Sequence, residues 1–349
     1  MTSVKLARDF GLVCGDLVPG ELNAITDVPG VRVGHLTQWG GDLRTGFTAV
    51  LPHDGDLFRQ KVPAAVAVFN GFGKSAGLMQ VEELGTIETP ILLTNTLSVG
   101  AGFSALVKRA IAANPEIGRK TGTVNPVVCE CNDGALSDIQ AMTLGETEAF
   151  AALDSARTGR VEQGALGAGS GMSAFGFKGG IGTSSRRLSL DGRRFHLGVL
   201  VLANFGRSGD LVLPDGRRPR PPKTGTSEAE KGSVIIVLAT DLPVETRQLK
   251  RIARRTGAGL ARLGAYWGNG SGDLAIAFST ARRIAHDESR AVVPVEVLNE
   301  NRIEAAFRAA AEATQEAVLN ALCAAPATTG RDGAFRSSLA DWLRDNPPL

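Results

Sequence analysis

Histidine is scarce in this chain: His35, His53, His196 and His286 are the only four in 349 residues. No HExxH, no pair of histidines at metal-ligand spacing and no GxSxG elbow is present, which argues against zinc chemistry and against a histidine-dependent serine hydrolase. Cysteine is equally sparse. Cys14, Cys129, Cys131 and Cys323 are too few and too scattered for a disulfide scaffold, and Cys129-Glu130-Cys131 is not a CxxC pair. On an extended strand Cys129 and Cys131 share one face, which fits buried free thiols better than a metal site. With one tyrosine, three tryptophans and a formal net charge of +2, the chain lacks the basic, aromatic-laced surface that binds nucleic acid, and has no general pull toward anionic membrane. No apolar run reaches eighteen residues. The first twenty residues contain Lys5, Arg8, Asp9 and Asp16 and no apolar run of seven, so no signal peptide is expected and a soluble cytoplasmic protein is the default.

What the chain has in excess is glycine, 43 residues, well above the usual ~7%. Strand-like apolar runs recur at 64–69, 90–94, 126–131, 197–203, 233–240 and 273–279, many of them apolar on both faces. Helical spacing links Leu249, Ile252, Ala253, Leu260 and Leu263, and again Ile303, Phe307, Ala310, Thr314, Val318 and Leu322; residues 98–113 form a third candidate. Helix-covered sheets in one or two layers follow from this pattern. No internal repeat is visible. The linker-like stretch 206–230 lies between two predicted strands, so one domain spanning residues 1–349 is expected, with that stretch as an internal loop.

That loop holds Pro214, Pro219, Pro221 and Pro222 with Arg207, Arg217, Arg218, Arg220 and Lys223, and is expected to be exposed and poorly packed. Immediately after Lys231 and Gly232 comes Ser233, the first residue of a β-branched strand. An ordinary loop-to-strand junction would look the same. If the Gly232–Ser233 bond were cut, Ser233 would gain an α-amine with a reference pKa near ~7.7–8.0, suited to serve as a base. The glycine before it permits close approach of the hydroxyl to the preceding carbonyl. Such a cut gives fragments 1–232 and 233–349.

Asn204 ends the apolar run 198–203, and antiparallel pairing with the strand from Ser233 would bring the two together. Its carboxamide would then suit an oxyanion, although asparagines also terminate strands in turns. The turn 268–273 (GNGSGD) puts Ser271 and Asp273 two residues apart, a hydroxyl and a carboxylate able to orient a nucleophile. Val128, Glu130 and Asn132 alternate with the cysteines. A carboxylate ending an apolar strand needs a partner, and Glu130 has two candidates, a substrate amino group or a lysine or arginine of the protein. Two other segments look suggestive without fitting a function. Residues 164–171 (GALGAGSG) resemble a phosphate cradle but lack a following GK[ST], and the arginines of 247–262 lack interleaved aromatics, so a solvated or ion-paired helix face is expected.

Taken together, residues 23–35, 90–100, 130–134, 175–186, 202–206, 232–233 and 269–273 resemble the DmpA-like family of L-aminopeptidase/D-esterases and β-peptidyl aminopeptidases. The resemblance implies an αββα sandwich similar in layout to N-terminal-nucleophile hydrolases but differently connected. It places Ser233 at the family's nucleophile, Gly232 before the cleaved bond, Asn204 at the oxyanion donor, Glu130 at the carboxylate that holds the substrate's amino terminus, and Ser271 and Asp273 at the supporting pair. Asn132 falls where the D-esterase branch has tyrosine, which is closer to the β-peptidyl branch; Asp273 falls where that branch can have glutamate. No metal or cofactor is implied. The implied partners are a small peptide, amino-acid amide or ester substrate and further copies of the chain, as a tetramer of processed units. On the same fold, acyltransferases and nylon-type oligomer hydrolases use threonine, against which Ser233 argues. A non-cleaving small-molecule-binding protein, with Glu130 and the glycine loops forming a pocket, is the remaining alternative.

Overall fold

The computed structural model describes residues 4–222 and 232–348. Nine long strands, β1 (Arg32–Gly40), β2 (Leu43–Leu51), β3 (Gln60–Gly71), β4 (Ile91–Asn95), β5 (Val127–Cys131), β6 (Gly180–Leu190), β7 (Arg193–Asn204), β8 (Ser233–Thr240) and β9 (Gly272–Ser279), form two sheets. One sheet runs β1-β2-β4-β5; the other runs β3-β9-β8-β7-β6, with two short strands at its β3 edge. Only the pairs β4/β5 and β8/β9 are parallel, and each is joined through a helix, α1 (Val99–Ala113) and α3 (Thr246–Ala261) respectively. Two further helices, α2 (Glu146–Asp154) and α4 (Glu304–Ala324), complete the layers.

Alternation along the strands creates three apolar layers. In β8, Ile235, Val237 and Ala239 meet Cys129, Cys131, Leu200 and Leu202 between the sheets. Val234, Ile236 and Leu238 face the opposite way, onto α3 and α4. Phe47, Leu92 and Val128 pack on α1 and α2. The arrangement is therefore an αββα sandwich, with all four cysteines buried as free thiols.

The runs expected at 64–69, 90–94, 126–131, 197–203, 233–240 and 273–279 each fall on a strand to within one residue, and the three expected helices fall on α1, α3 and α4 to within two residues at their ends. Strands β1, β2 and β6 had no such signal. In β6 the sequence GIGTSSRRLSL looks like loop, but its glycines are needed for close packing: a Cβ on Gly182 would lie 2.0 Å from the Ala317 carbonyl of α4. The glycines of 164–171 serve the same end. A Cβ on Gly167, Gly169 or Gly171 would meet Thr48, Ile181 or Arg44 within 2.6 Å, so this segment is a packed turn and not an open phosphate cradle. On α3, Arg247 and Arg251 pair with Glu300, Lys250 pairs with Glu82, and Arg255 lies over the Phe307 ring. The expectation of an unpacked loop after residue 206 needs correction, because Leu211 and Leu213 are buried in the helix-side core. Its remaining part, from Lys223 to Lys231, lies outside the described residues. No helix among the described residues is long and apolar enough to cross a membrane.

A buried ion network joins the two sides of residue 232. Arg186, fully buried on β6, donates to Glu312 at 3.2 Å and Glu316 at 2.8 Å, both on α4, and to the Cys14 carbonyl. Arg8 and Asn23 complete the Glu316 carboxylate at 2.6 Å each. Burial pushes that carboxyl upward, but the Arg8 hydrogen bond and the Arg186 charge outweigh it, leaving it below its ordinary value. Its contribution is therefore present above the unfolded value of about 4.5 and is lost as pH falls through the folded one. Glu316→Ala, which removes one of the two carboxylates paired with the fully buried Arg186 and leaves Arg8 and Asn23 without their acceptor, should cost about 3–5 kcal/mol in urea unfolding at pH 7. An unchanged midpoint would show the network to be neutral.

Candidate active site

The antiparallel register of β7 and β8 sets Asn204 opposite Ser233. Leu200 and Leu202 on one strand, Ile235 and Val237 on the other, point between the sheets. By period two, Asn204 and Ser233 share that face at the same end. Ser233 is 7% exposed. Its Oγ accepts a 3.0 Å hydrogen bond from the Gly272 N–H, and its carbonyl oxygen lies 3.3 Å from the Cys131 thiol on the facing sheet.

Gly232 sits directly against the paired strand: a Cβ there would fall 2.0 Å from the Asn204 carbonyl oxygen. No side chain fits at this position without parting β7 from β8. The Asn204 amide is fixed by two backbone groups. Its Oδ1 accepts from the Ser173 N–H at 2.9 Å, and its Nδ2 donates to the Asn132 carbonyl at 3.0 Å. A backbone N–H can only donate and a carbonyl only accept, so the amide has one orientation. One Nδ2 hydrogen remains for another acceptor.

On the other side of β8, Val234 lies beside Asp273 of β9. Asp273 Oδ1 accepts the Val234 N–H at 3.1 Å, while Oδ2 accepts the Ser271 hydroxyl in a short hydrogen bond. The Asn70 amide donates to the Ser271 and Gly268 carbonyls and holds the turn. The β9/β3 register shifts between Asp273 and Leu274, an irregularity of the kind that re-aims side chains beside functional sites. Gly272 also touches Gly73: a Cβ on Gly272 would meet the Gly73 Cα at 2.8 Å.

Through Gly73 this packing reaches Glu130, which is 3% exposed. Its Oε1 accepts the Lys74 backbone N–H at 2.8 Å, and Oε2 accepts the Thr96 hydroxyl. The two candidate partners left open in the sequence are thus joined by a third arrangement. Among the described residues, neutral donors hold the carboxylate, with no lysine or arginine in an ion pair with it. The side chain of Asn132 is turned away: exposed, its Oδ1 caps the Gly134 N–H at 2.8 Å, and its backbone carbonyl is what meets Asn204. Thr96, Asn70, Ser173 and Gly272 went unassigned in the sequence reading. Thr96 lies in the 90–100 stretch, but its role needs the β4/β5 pairing, which places Thr94 and Asn95 beside Glu130 and Cys131.

Two sheets stacked between helix layers in this order make a sandwich like that of a solved structure described as a variant of the Ntn hydrolase fold. The chain belongs to peptidase family S58, which matches residues 23–336. It is a serine aminopeptidase. It is 38% identical over 352 residues to the β-peptidyl aminopeptidase BapA of Sphingosinicella microcystinivorans, covering 94% of this chain and 87% of that protein. A Pyrococcus horikoshii protein superposes with a TM-score of 0.91 at 44% identity, covering 97% of this chain and 98% of its own. The L-aminopeptidase D-Ala-esterase/amidase of Ochrobactrum anthropi, described as a prototype of the serine aminopeptidases with a variant of the Ntn hydrolase fold, superposes with a TM-score of 0.88 at 36% identity, covering 97% and 96%.

Proposed function

We propose that the chain cuts itself between Gly232 and Ser233 and then uses Ser233 as an N-terminal nucleophile to release small N-terminal residues from peptides, amino-acid amides or esters. The observation that carries this reading is the Asn204–Ser233 register with the Gly272 N–H on the serine oxygen. In self-cleavage, Ser233 Oγ adds to the Gly232 carbonyl carbon. The C–N bond breaks, the oxygen ester forms and the Ser233 amine takes up the hydroxyl proton. Water then hydrolyses the ester to a Gly232 carboxylate and a free Ser233 hydroxyl.

In turnover the same hydroxyl attacks the substrate carbonyl and its proton passes to the α-amine. The Ser271–Asp273 pair orients the strand terminus, and the free Nδ2 hydrogen of Asn204 binds the developing oxyanion. The leaving amine or alcohol departs with the proton, and water releases the acyl group. Glu130, whose carboxylate oxygens accept from neutral donors, takes the substrate's ammonium group. The relatives' named activities, on β-peptides in one case and on L-aminopeptidase and D-alanyl ester substrates in another, fit a site for small amino-terminal residues. The exposed valines 292, 293, 295 and 297 support assembly of processed units into a homotetramer.

Intact-mass analysis after incubation should show chains 1–232 and 233–349, and Ser233→Ala should leave one 349-residue chain without activity; a persistently single wild-type chain sinks the proposal. Glu130→Gln should raise KM for β-alanyl and L-alanyl p-nitroanilides by tenfold or more with a smaller change in kcat. An unaltered KM would remove Glu130 from amine recognition. Light scattering on the processed enzyme should give the mass of four units, and a monomer at micromolar concentration would refute the assembly.

A further inference from the structure

Lys178 is the largest buried cation outside the network around Arg186, and no step of the reaction uses it directly. It is fully buried at the end of a loop that turns back on itself before β6. Its Nζ donates three hydrogen bonds, to the carbonyls of Gly169 at 3.1 Å, Met172 at 2.8 Å and Gly179 at 2.8 Å. Three carbonyl acceptors use all three hydrogens of an ammonium, and a neutral amine could serve only two. The carbonyls at 169 and 172 bracket the turn leading to Ser173, whose N–H holds Asn204 Oδ1.

The second anchor of Asn204, the Asn132 carbonyl, is tied to the same cluster. The next residue, Asp133, is fully buried, with Oδ2 accepting the Thr45 hydroxyl at 2.6 Å and Oδ1 without a hydrogen-bond partner. Asp133 packs on the Lys178 loop: a Cβ on Gly171 would lie 2.7 Å from the Asp133 Cβ. Burial pushes the Asp133 carboxyl up to about 6, against the Thr45 hydrogen bond, and lowers the Lys178 ammonium to about 7, with the Asp133 charge opposing. Each is thus in the other's field. Both backbone groups that fix the Asn204 amide are therefore tied to this pair: Ser173 follows Met172, whose carbonyl accepts from Lys178, and Asn132 precedes Asp133.

We propose that Lys178, backed by Asp133, is a positioning residue for the reaction: it draws the 169–179 loop onto one point and so aims the free Nδ2 hydrogen of Asn204 at the oxyanion. The proposal rests on the reading of Asn204 as oxyanion donor. Lys178 touches neither Ser233 nor substrate in this scheme. Its effect passes entirely through Ser173, Asn132 and Asn204. The glycines at 169, 171 and 179 belong to the same device, since each lies where a Cβ would collide with backbone or with Asp133.

The test is a double-mutant cycle between Lys178→Met and Asn204→Ala, with kcat and KM for β-alanyl p-nitroanilide referred to the cleaved fraction determined by intact mass. Asn204→Ala should lower kcat by roughly 10²–10³-fold, the usual loss for one oxyanion donor. Lys178→Met should lower kcat about 10²-fold with KM within about twofold, and adding it to Asn204→Ala should cost less than about twofold more. Asp133→Asn, which keeps the Thr45 bond and the side-chain shape, should follow the same pattern at about tenfold, and reads the cluster independently should Lys178→Met not fold. Full kcat in both variants, losses that multiply with Asn204→Ala, or a KM that rises in step with the fall in kcat would each overturn the positioning role. Full activity of Asn204→Ala alone is a different result: it overturns the oxyanion reading on which this proposal stands.

Discussion

The structure depends on one backbone pairing. β7 and β8 meet in a register that leaves no room at its end: Gly232 lies against the Asn204 carbonyl, and Ser233 faces Asn204 across the sheet. Strand β8 is central, with β7 on one side and β9 on the other. A chain end created at Ser233 would therefore be held by ladders on both sides rather than fray as termini usually do. The Asp273 carboxylate adds a further hold by accepting the Val234 N–H one residue in. A free terminus is ordinarily the least ordered part of a domain; here the fold makes position 233 one of the most constrained.

The same pairing bears on how two fragments would stay together. Strands β8 and β9, which follow residue 232, lie between β7 and β3, which precede it. Helix α4 packs on β6, where Ser184 donates to the Ala313 carbonyl and Asn320 to the Thr183 carbonyl. The Arg186 network adds buried ion pairs made across this junction. Separation would expose the helix-side core and strand these charges, so cutting one peptide bond removes chain connectivity without removing the interactions that define the fold.

Strand order was not readable in the sequence, but the elements that matter most were, because they are apolar on both faces. Ser233 and Asn204 could be placed at the ends of such runs, and their pairing followed from the loop that joins them. Glu130 stood out as a carboxylate between two buried cysteines. What surrounds it did not, since Thr96 and the Lys74 amide come from segments 34 and 56 residues away and are ordinary in composition. β6 escaped notice for a physical reason: its strand residues are small and polar so that α4 and the 164–171 turn can approach its backbone. Asn132 shows a different limit. It was read for its side chain, yet the group that meets Asn204 is its carbonyl, and backbone contributions carry no residue-type signal.

The scarcity of histidine noted in the sequence becomes a mechanistic constraint once the four are located. His196 is eight residues from Asn204 along β7, roughly 25 Å at the rise of an extended strand, and is bonded to Asp241. Burial lowers His35 to about 4, where it bonds Thr48, and His53 is lowered as well and bonds the Gln60 carbonyl; His286 stacks on Phe58. None of these contacts involves Ser233. The Asp273 carboxylate accepts the Ser271 hydroxyl and the Val234 N–H and so ties the turn to the strand. Gly272 can only donate. If the proposed cut is made, the α-amine released at residue 233, whose ordinary pKa of ~7.7–8.0 suits neutral pH, supplies a base beside the hydroxyl without a histidine. Under the proposed cut, the lack of a histidine contact at Ser233 and the glycine at 232 belong together, because an enzyme that makes its own base needs a bond it can reach and break.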